Sequence, residues 1–210
     1  MKLYILPGSL TSRKPLAVIH HLGLPVELIE VSGAEAQSPA YRAINPNGMA
    51  PTLVDGEMTL WESNAIGVYL AESTSDKSLF PPGMRARIEI LRWLYWEAIH
   101  FNGALGTLFF EIAVKPAIGR GAADPAVVER AEQGFHRFAP VLEAHLADRM
   151  FMVGETITYA DYAVASCEPY RDRLPVDFAN YPAIQRHFDR VAAMPAWHKA
   201  LGKAPVREAA

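Results

Sequence analysis

Asn45-Pro46-Asn47-Gly48-Met49-Ala50-Pro51-Thr52-Leu53-Val54-Asp55-Gly56-Glu57-Met58-Thr59-Leu60-Trp61-Glu62-Ser63-Asn64-Ala65-Ile66 holds a turn, an X-Pro step, a hairpin and a helix start in unbroken succession. Asn45-Pro46-Asn47-Gly48 is the strongest turn signal in the chain. The ring of Pro51 forces Ala50 toward an extended backbone. If the Ala50-Pro51 bond is cis, the N–H and C=O of Ala50 face outward as an open edge for a peptide-like ligand; if trans, Pro51 is simply the first residue of an edge strand. Thr52–Asp55 and Met58–Trp61 read as a hairpin, Asp55-Gly56 suiting the positive φ of a tight two-residue turn. Ser63 is expected to cap a helix running to about Ala71, with Ile66, Tyr69 and Leu70 on one face. A carboxylate can dock at that N-terminus and Glu62 can take an ammonium, so an amino-acid head group satisfies both; the same residues also make an ordinary acidic helix start.

Upstream, Lys2–Leu6 reads as a strand and Ser12–Leu22 as a helix, with Leu16, Ile19 and His20 at helical spacing and Gly23 as its C-terminal cap. Val26–Val31 is a second strand, parallel to the first across a βαβ crossover. Ser38–Ile44 is a short helical turn. Three hydroxyl residues, Ser9, Thr11 and Ser12, lie between strand and helix, where unpaired N–H groups favour an anion. One of them serving as a plain N-cap is the structural alternative, and Pro15 is compatible with a first turn.

Downstream, the texture changes at Leu79-Phe80-Pro81-Pro82-Gly83, which neither a helix nor a central strand can absorb. Beyond it the patterns are helical: Arg87–Val114, Pro125–Arg149, Thr158–Arg173, Ala183–Met194 and Ala196–Leu201, with no convincing strand. The expected fold class is α/β plus all-α: a βαβ-ββα unit over residues 1–78, a linker over 79–84 and an all-helical bundle over 85–210.

Composition narrows the function. Half of the 210 residues are apolar and a fifth charged, which is the profile of a globular chain. Twenty Lys+Arg against 23 Asp+Glu give a net charge of −3 with no long basic run, arguing against a nucleic-acid partner. The single cysteine, Cys167, excludes an internal disulfide framework, a CxxC pair and a cysteine-based zinc cluster, and the seven histidines show no zinc-ligand spacing, so no metal is expected. Leu3–Leu6 is too short for a targeting segment, and no stretch approaches the roughly 20 apolar residues of a membrane span, so the expected location is cytoplasmic, with no membrane partner.

The Pro7-Gly8-Ser9 opening, the Asn-Pro-x-Gly-x-x-Pro-Thr-Leu segment, Glu62-Ser63-x-Ala65-Ile66 and the Leu79-Phe80-Pro81 linker together resemble the cytosolic glutathione S-transferase superfamily, over nearly the whole chain. Gly154-Glu155-Thr156-Ile157-Thr158-Tyr159-Ala160-Asp161 is similar to that family's capping box and hydrophobic staple: Thr158 and Asp161 can satisfy each other's N–H groups, and Ile157 can pack on Tyr162. The resemblance implies a thioredoxin-like N-terminal domain, a helical second domain and glutathione as co-substrate. It implies a cis Pro51, with Ala50 holding the cysteinyl part of glutathione and Glu62 and Ser63 gripping the γ-glutamyl head group, between neighbours Met49 and Asn64. The opening is similar to the serine-type classes, which puts Ser9 first as donor to the glutathione sulfur, ahead of Thr11 and Ser12; Arg13 is a weaker candidate for the local positive field. Leu10 stands where cysteine-type bacterial classes carry a cysteine. Two departures stand out: Asn64 replaces the arginine of some serine classes, and Gly48 and Met49 offer no side chain suited to the glycyl carboxylate.

The long helix after the linker carries Trp93, Tyr95, Trp96, Glu97, His100, Phe101, Leu105 and Phe109, aromatic on too many sides for a simple amphipathic stripe. Some of its faces must meet something other than the core; the candidates are an electrophile pocket, lined by Leu10, Trp96, His100 and Phe101, and the partner of a homodimer, and the resemblance favours both. His100 can be read as a proton carrier or as a hydrogen-bonded packing residue. The expected function is glutathione transfer to a small apolar electrophile, with hydroperoxide reduction by the same thiolate. The alternative is a noncatalytic binder of glutathione or hydrophobic molecules on the same fold. A loop without cysteine gives no support to disulfide reduction.

Overall fold

The computed structural model describes residues 1–200 and resolves into two compact units, residues 1–80 together with 194–200, and Pro81–Ala193. In the first, β1 (Lys2–Ile5), β2 (Glu27–Glu30), β3 (Thr52–Asp55) and β4 (Met58–Trp61) form one sheet in the order β2-β1-β3-β4. β1 and β2 are parallel, with Lys2 opposite Glu27; β1 and β3, and β3 and β4, are antiparallel. Leu3 and Leu53 are paired across the central strands and are fully buried. The hairpin closes Asp55 against Met58, so the two loop residues are Gly56 and Glu57, with Gly56 supplying the positive φ of 57°.

Helix α1 spans Leu10–Leu22, two residues earlier at its start than the sequence indicates, because Ser9 is the cap and not Ser12. Pro15 therefore lies in the second turn rather than the first, leaving the Thr11 carbonyl without an i+4 donor. Two short helices absent or partial in the sequence reading follow β2: α2 (Gly33–Ala36), opened by a Ser32/Glu35 capping box, and α3 (Pro39–Ile44), capped by Ser38. Helix α4 (Ser63–Glu72) buries Ile66 and Leu70 and packs on α1 and the hairpin.

The helical unit holds α5 (Met84–Trp96), α6 (Asn102–Phe109), α7 (Lys115–Ala117), α8 (Pro125–Leu146), α9 (Tyr159–Val164) and α10 (Pro182–Ala192). The sequence predicts one helix over Arg87–Val114; instead two π-turns, Glu97–Phe101 and Phe110–Val114, interrupt it. The first surrounds a buried carboxylate: Asn102 donates its amide to Glu97 and, at 2.9 Å, to the Ala163 carbonyl, and the wider turn brings these groups into register. The helix expected over Thr158–Arg173 likewise ends at Val164 and continues as a 3₁₀ stretch, Ala165–Arg173; Pro169 within it has no N–H to give Ala165. Thr158 and Asp161 form the expected capping box, and Ile157 and Tyr162 are both buried.

Helix α11 (Pro195–Ala200) departs from the assignment of 85–210 to one helical domain. Ala196, Trp197 and Ala200 are buried, α11 packs on α1, and the Arg13 guanidinium lies 5.6 Å from the Trp197 ring centroid. Leu201 and the rest of that assignment lie outside the described residues. Among the described residues no strand follows β4, and no helix is long and apolar enough to cross a membrane.

Candidate functional site

The loop from β1 to α1 sorts the three candidate hydroxyls by their bonds. Ser9 caps α1, its oxygen accepting the Ser12 N–H at 3.3 Å. Thr11, exposed, donates to the Ala50 carbonyl at 3.3 Å and lies 3.0 Å from Ser9 Oγ. A threonine has one hydroxyl proton; with it on Ala50, the Ser9 proton is the one that bridges the two side chains. Ser12 is 1% exposed and its oxygen accepts the Leu6 N–H at 3.1 Å, which turns it inward. Ser9 and Thr11 are thus the pair of the three that reaches the surface, and they are joined to Ala50.

The Ala50-Pro51 bond is cis. Of the edge expected at Ala50, the carbonyl is engaged by Thr11, while the N–H has no acceptor among the described residues. What holds this loop is a set of side chains to which the sequence reading assigned no role. Asn45, buried, donates to the Met49 carbonyl (2.6 Å) and to Thr52 Oγ1 (2.9 Å), and its own oxygen accepts from Asn47. Tyr41 hydroxyl donates to the same Met49 carbonyl at 3.0 Å, and burial raises its phenol further above the ordinary range, keeping it a neutral donor. Gln37 donates to Gly48 O at 2.7 Å and Arg42 to Pro46 O at 3.1 Å. The Met49 backbone is thereby fixed while its side chain stays exposed. The Ser32-x-x-Glu35 capping signature ahead of Gln37 was the sequence signal for this support.

Gly48 is part of the same device. Its φ is +62°, and a Cβ there would meet Gln37 Nε2 at 2.9 Å and the Ala36 carbonyl at 3.0 Å. Gly48→Ala is expected to cost about 1–3 kcal/mol, a fall of roughly 5 °C in Tm, through backbone strain and loss of the Gln37 bond. Differential scanning calorimetry checks it; an unchanged Tm would mean the loop repacks freely.

At the third segment the cap differs from expectation. Glu62 occupies the N-cap position with φ 71° and ψ 113°, and Ser63, buried, is the first helical residue of α4. A glutamate in that backbone region is uncommon and is retained at a cost of about 1–3 kcal/mol, which marks functional sites more often than plain connections. The side chain of Glu62 is exposed. Asn64 accepts from Lys14 Nζ at 3.4 Å, linking α4 to α1. Ser9, Thr11, Ala50, Lys14 and Asn64 thus form two bonded links within one unit: a donor-bearing helix cap tied through Thr11 to the Ala50 carbonyl, and a cation tied to the start of α4.

In the first unit Leu10 is the buried first residue of α1. In the helical unit Phe101 has no exposed surface and packs on Trp96 and Phe135, each at 5.8 Å between centroids. That places it in the aromatic core of its unit. His100, half-buried, stacks on Phe138 at 4.3 Å. Trp96 lines a groove of about 420 Å³ with Arg92, Trp93, Val141, Ala144 and His145, all from α5 and α8. Burial lowers the His145 pKa and its Nε2 lies 2.8 Å from the Met152 carbonyl, so that imidazole is neutral and structurally engaged.

Two family models match the chain: Glutathione S-transferase, N-terminal domain, over residues 3–78, and Glutathione S-transferase, C-terminal domain, over residues 104–195. Glutathione S-transferase 3 of Zea mays is 33% identical, across 98% of this chain and 95% of its own length. The theta class glutathione S-transferase of Xanthomonas axonopodis pv. citri, solved with glutathione bound, is 30% identical with a TM-score of 0.85 over 97% of each chain. Elongation factor 1-gamma 3 of Oryza sativa subsp. japonica is 27% identical over 93% of this chain, but over 47% of its own length.

Proposed function

Because this chain belongs to the glutathione S-transferase family, we propose that it binds glutathione in its first unit and activates the thiol with the Ser9 hydroxyl for attack on a small apolar electrophile. The observation that carries this reading is the Ser9–Thr11–Ala50 chain of bonds, which ties the donor to the backbone edge that would pair with the cysteinyl residue. Ser9 spends an oxygen lone pair on the helix cap and keeps its proton, which swings from Thr11 to a thiolate when one arrives. The N–H groups of the first turn of α1 add partial positive charge. Lowering a thiol pKa from about 8.5 by two units requires roughly 2.7 kcal/mol of preference for the thiolate, within reach of one such donor plus a helix N-terminus. Glu62 and Ser63 take the ammonium and carboxylate of the γ-glutamyl head group, with Asn64 beside them. Positioning of the electrophile against the sulfur supplies the rest of the acceleration, and a hydroperoxide is a second acceptor class for the same thiolate.

The acting form is a homodimer. Met84, Ile88, Tyr95 and Ile99 on and just beyond α5 are all more than half exposed, and with Leu91 they follow the three-four spacing of a helix seam, which a second copy can cover with the same residues. Tyr95→Glu is expected to convert a particle of twice the 23.2 kDa chain mass into one of that mass in sedimentation equilibrium; a monomeric wild type would contradict the dimer.

A second reading, a noncatalytic binder on the same fold, is motivated by Asn64, which stands where some serine classes carry an arginine, and by Gly48 and Met49, which offer no side chain for a glycyl carboxylate. Calorimetry with glutathione and turnover on chloroarenes, epoxides, isothiocyanates and cumene hydroperoxide separate the two. Transfer to at least one acceptor is expected; binding without turnover on the whole panel would establish the second reading.

A further inference from the structure

A tripeptide bound as described has a direction. Thr52 pairs with Trp61 in the antiparallel register of β3 and β4, so the chain leaves the sheet beside Pro51 as it enters Glu62 and Ser63. A head group at Glu62 and Ser63, with the cysteinyl residue paired at Ala50, sends the C-terminal glycine the other way, back past Met49 toward Gly48. That end of the ligand carries a carboxylate, yet residues 45–51 include no charged side chain.

A cation reaches this turn from α3. Arg42, exposed in the last turn of that helix, donates from Nη1 to the Pro46 carbonyl at 3.1 Å and from Nη2 to Gln37 Oε1. Gln37 in turn donates to the Gly48 carbonyl at 2.7 Å, so the guanidinium is braced against both ends of the turn. Its Cζ lies 3.1 Å from the place a Cβ on Gly48 would take. A guanidinium has five N–H donors, and these two bonds leave a hydrogen on each terminal nitrogen. Both acceptors are neutral, and among the described residues no carboxylate pairs with Arg42. An arginine held in one geometry with its charge unmatched is preorganised for a planar anion, and much of the cost of ordering its long side chain is met before the ligand arrives.

We propose that Arg42 binds the glycyl carboxylate of glutathione and makes a free C-terminal carboxylate the condition for tight binding of the thiol substrate. The inference rests on the reading of this unit as a glutathione site, and it fills from α3 the place that Gly48 and Met49 leave without a suitable side chain. It also gives Gly48 a second reason to lack a Cβ, which would push the guanidinium out of its braced position.

The test compares glutathione with its C-terminal amide, the same tripeptide with the glycyl carboxylate as a neutral primary amide, by isothermal titration calorimetry on the full chain. The wild type is expected to prefer glutathione by about tenfold, the scale of a charge-assisted contact at an exposed site. That preference should shrink as salt screens the pair. Arg42→Met is expected to weaken glutathione by about tenfold while changing the amide by less than about twofold. Arg42→Lys keeps the charge without the planar fork and should restore part of the preference. A purely structural role, in which Arg42 only braces the turn, predicts equal losses on both peptides, and that result would overturn the proposal, as would unchanged binding of both. A wild type that binds the amide as tightly as glutathione overturns it without any variant. Failure of the wild type to bind either peptide would instead overturn the glutathione reading itself, a different outcome from loss of discrimination.

Discussion

Ser9→Ala is expected to lower kcat/KM about 10- to 100-fold and to raise the thiol pKa of bound glutathione by about one to two units, the effect of removing one hydrogen bond to a developing anion. The substitution also removes the cap of α1, at about 1 kcal/mol of stability. Ser9→Asp separates the two losses: aspartate caps a helix well but has no proton to give at neutral pH, so stability returns and activity does not. Thr11→Val is expected to change kcat/KM by no more than about threefold, because the Thr11 proton is committed to the Ala50 carbonyl. Steady-state kinetics on any accepted electrophile checks the series. Equal losses for Thr11→Val and Ser9→Ala would reassign the donor.

The second large effect lies in the helical unit and concerns folding. Asp161 is fully buried and accepts from Met152 N–H at 2.8 Å, Thr158 N–H at 2.7 Å and Thr158 hydroxyl at 2.8 Å. Asp161→Ala leaves three buried donors without an acceptor and is expected to cost about 4 kcal/mol in chemical denaturation, enough to depress soluble yield. Its neighbour gives a signature in pH. Burial pushes Asp161 up to about 6 from 3.8, and burial, reinforced by Arg190, pulls His187 down to about 4 from 6.5; His187 Nε2 stands 3.8 Å from Asp161. The folded state holds the Asp161 proton more tightly than the unfolded chain, so this group's contribution to stability falls as pH rises from about 4 to about 6. The folded state resists protonating His187, so that contribution rises from about pH 4 to about 6.5. Each displacement corresponds to about 3 kcal/mol, and the two oppose one another over nearly the same window. Wild-type stability is therefore expected to be nearly level between pH 4 and 6, whereas His187→Phe should lose stability across it by urea titration. A level His187→Phe profile would show that Asp161 titrates as an ordinary carboxylate.

The parts of this architecture that short-range chemistry dictates were legible in the residues. Asp55-Gly56 marked the hairpin to within one residue, Gly23 closed α1, and Thr158 with Asp161 marked the start of α9. The resemblance brought in the cis bond at Pro51, which local propensity alone disfavours. What was not legible depended on contacts that no local pattern marks. The start of α1 turns on which of three hydroxyls is pulled inward, and Leu6 decides that by bonding Ser12. Ser63 looked like the cap of α4 because serine favours that place, but Glu62 takes it in a backbone conformation that no sequence rule would assign to glutamate. The π-turn at Glu97–Phe101 reflects a buried carboxylate met by Asn102 and a carbonyl in α9, invisible to periodicity. The support of the Met49 loop by Tyr41, Gln37 and Arg42 is short-range, over 8, 11 and 4 residues, and was missed because no periodicity marks it, whereas the reach of Lys14 to Asn64 spans 50 residues.

The central claim is that this chain activates glutathione through Ser9, and spectroscopic titration of the thiolate of bound glutathione tests it most directly. The account predicts an apparent thiol pKa near 6.5 in the wild type against about 8.5 for a free thiol, returning toward about 8 in Ser9→Ala. A bound thiol that titrates near 8.5 in the wild type, or one lowered equally in both proteins, would contradict it.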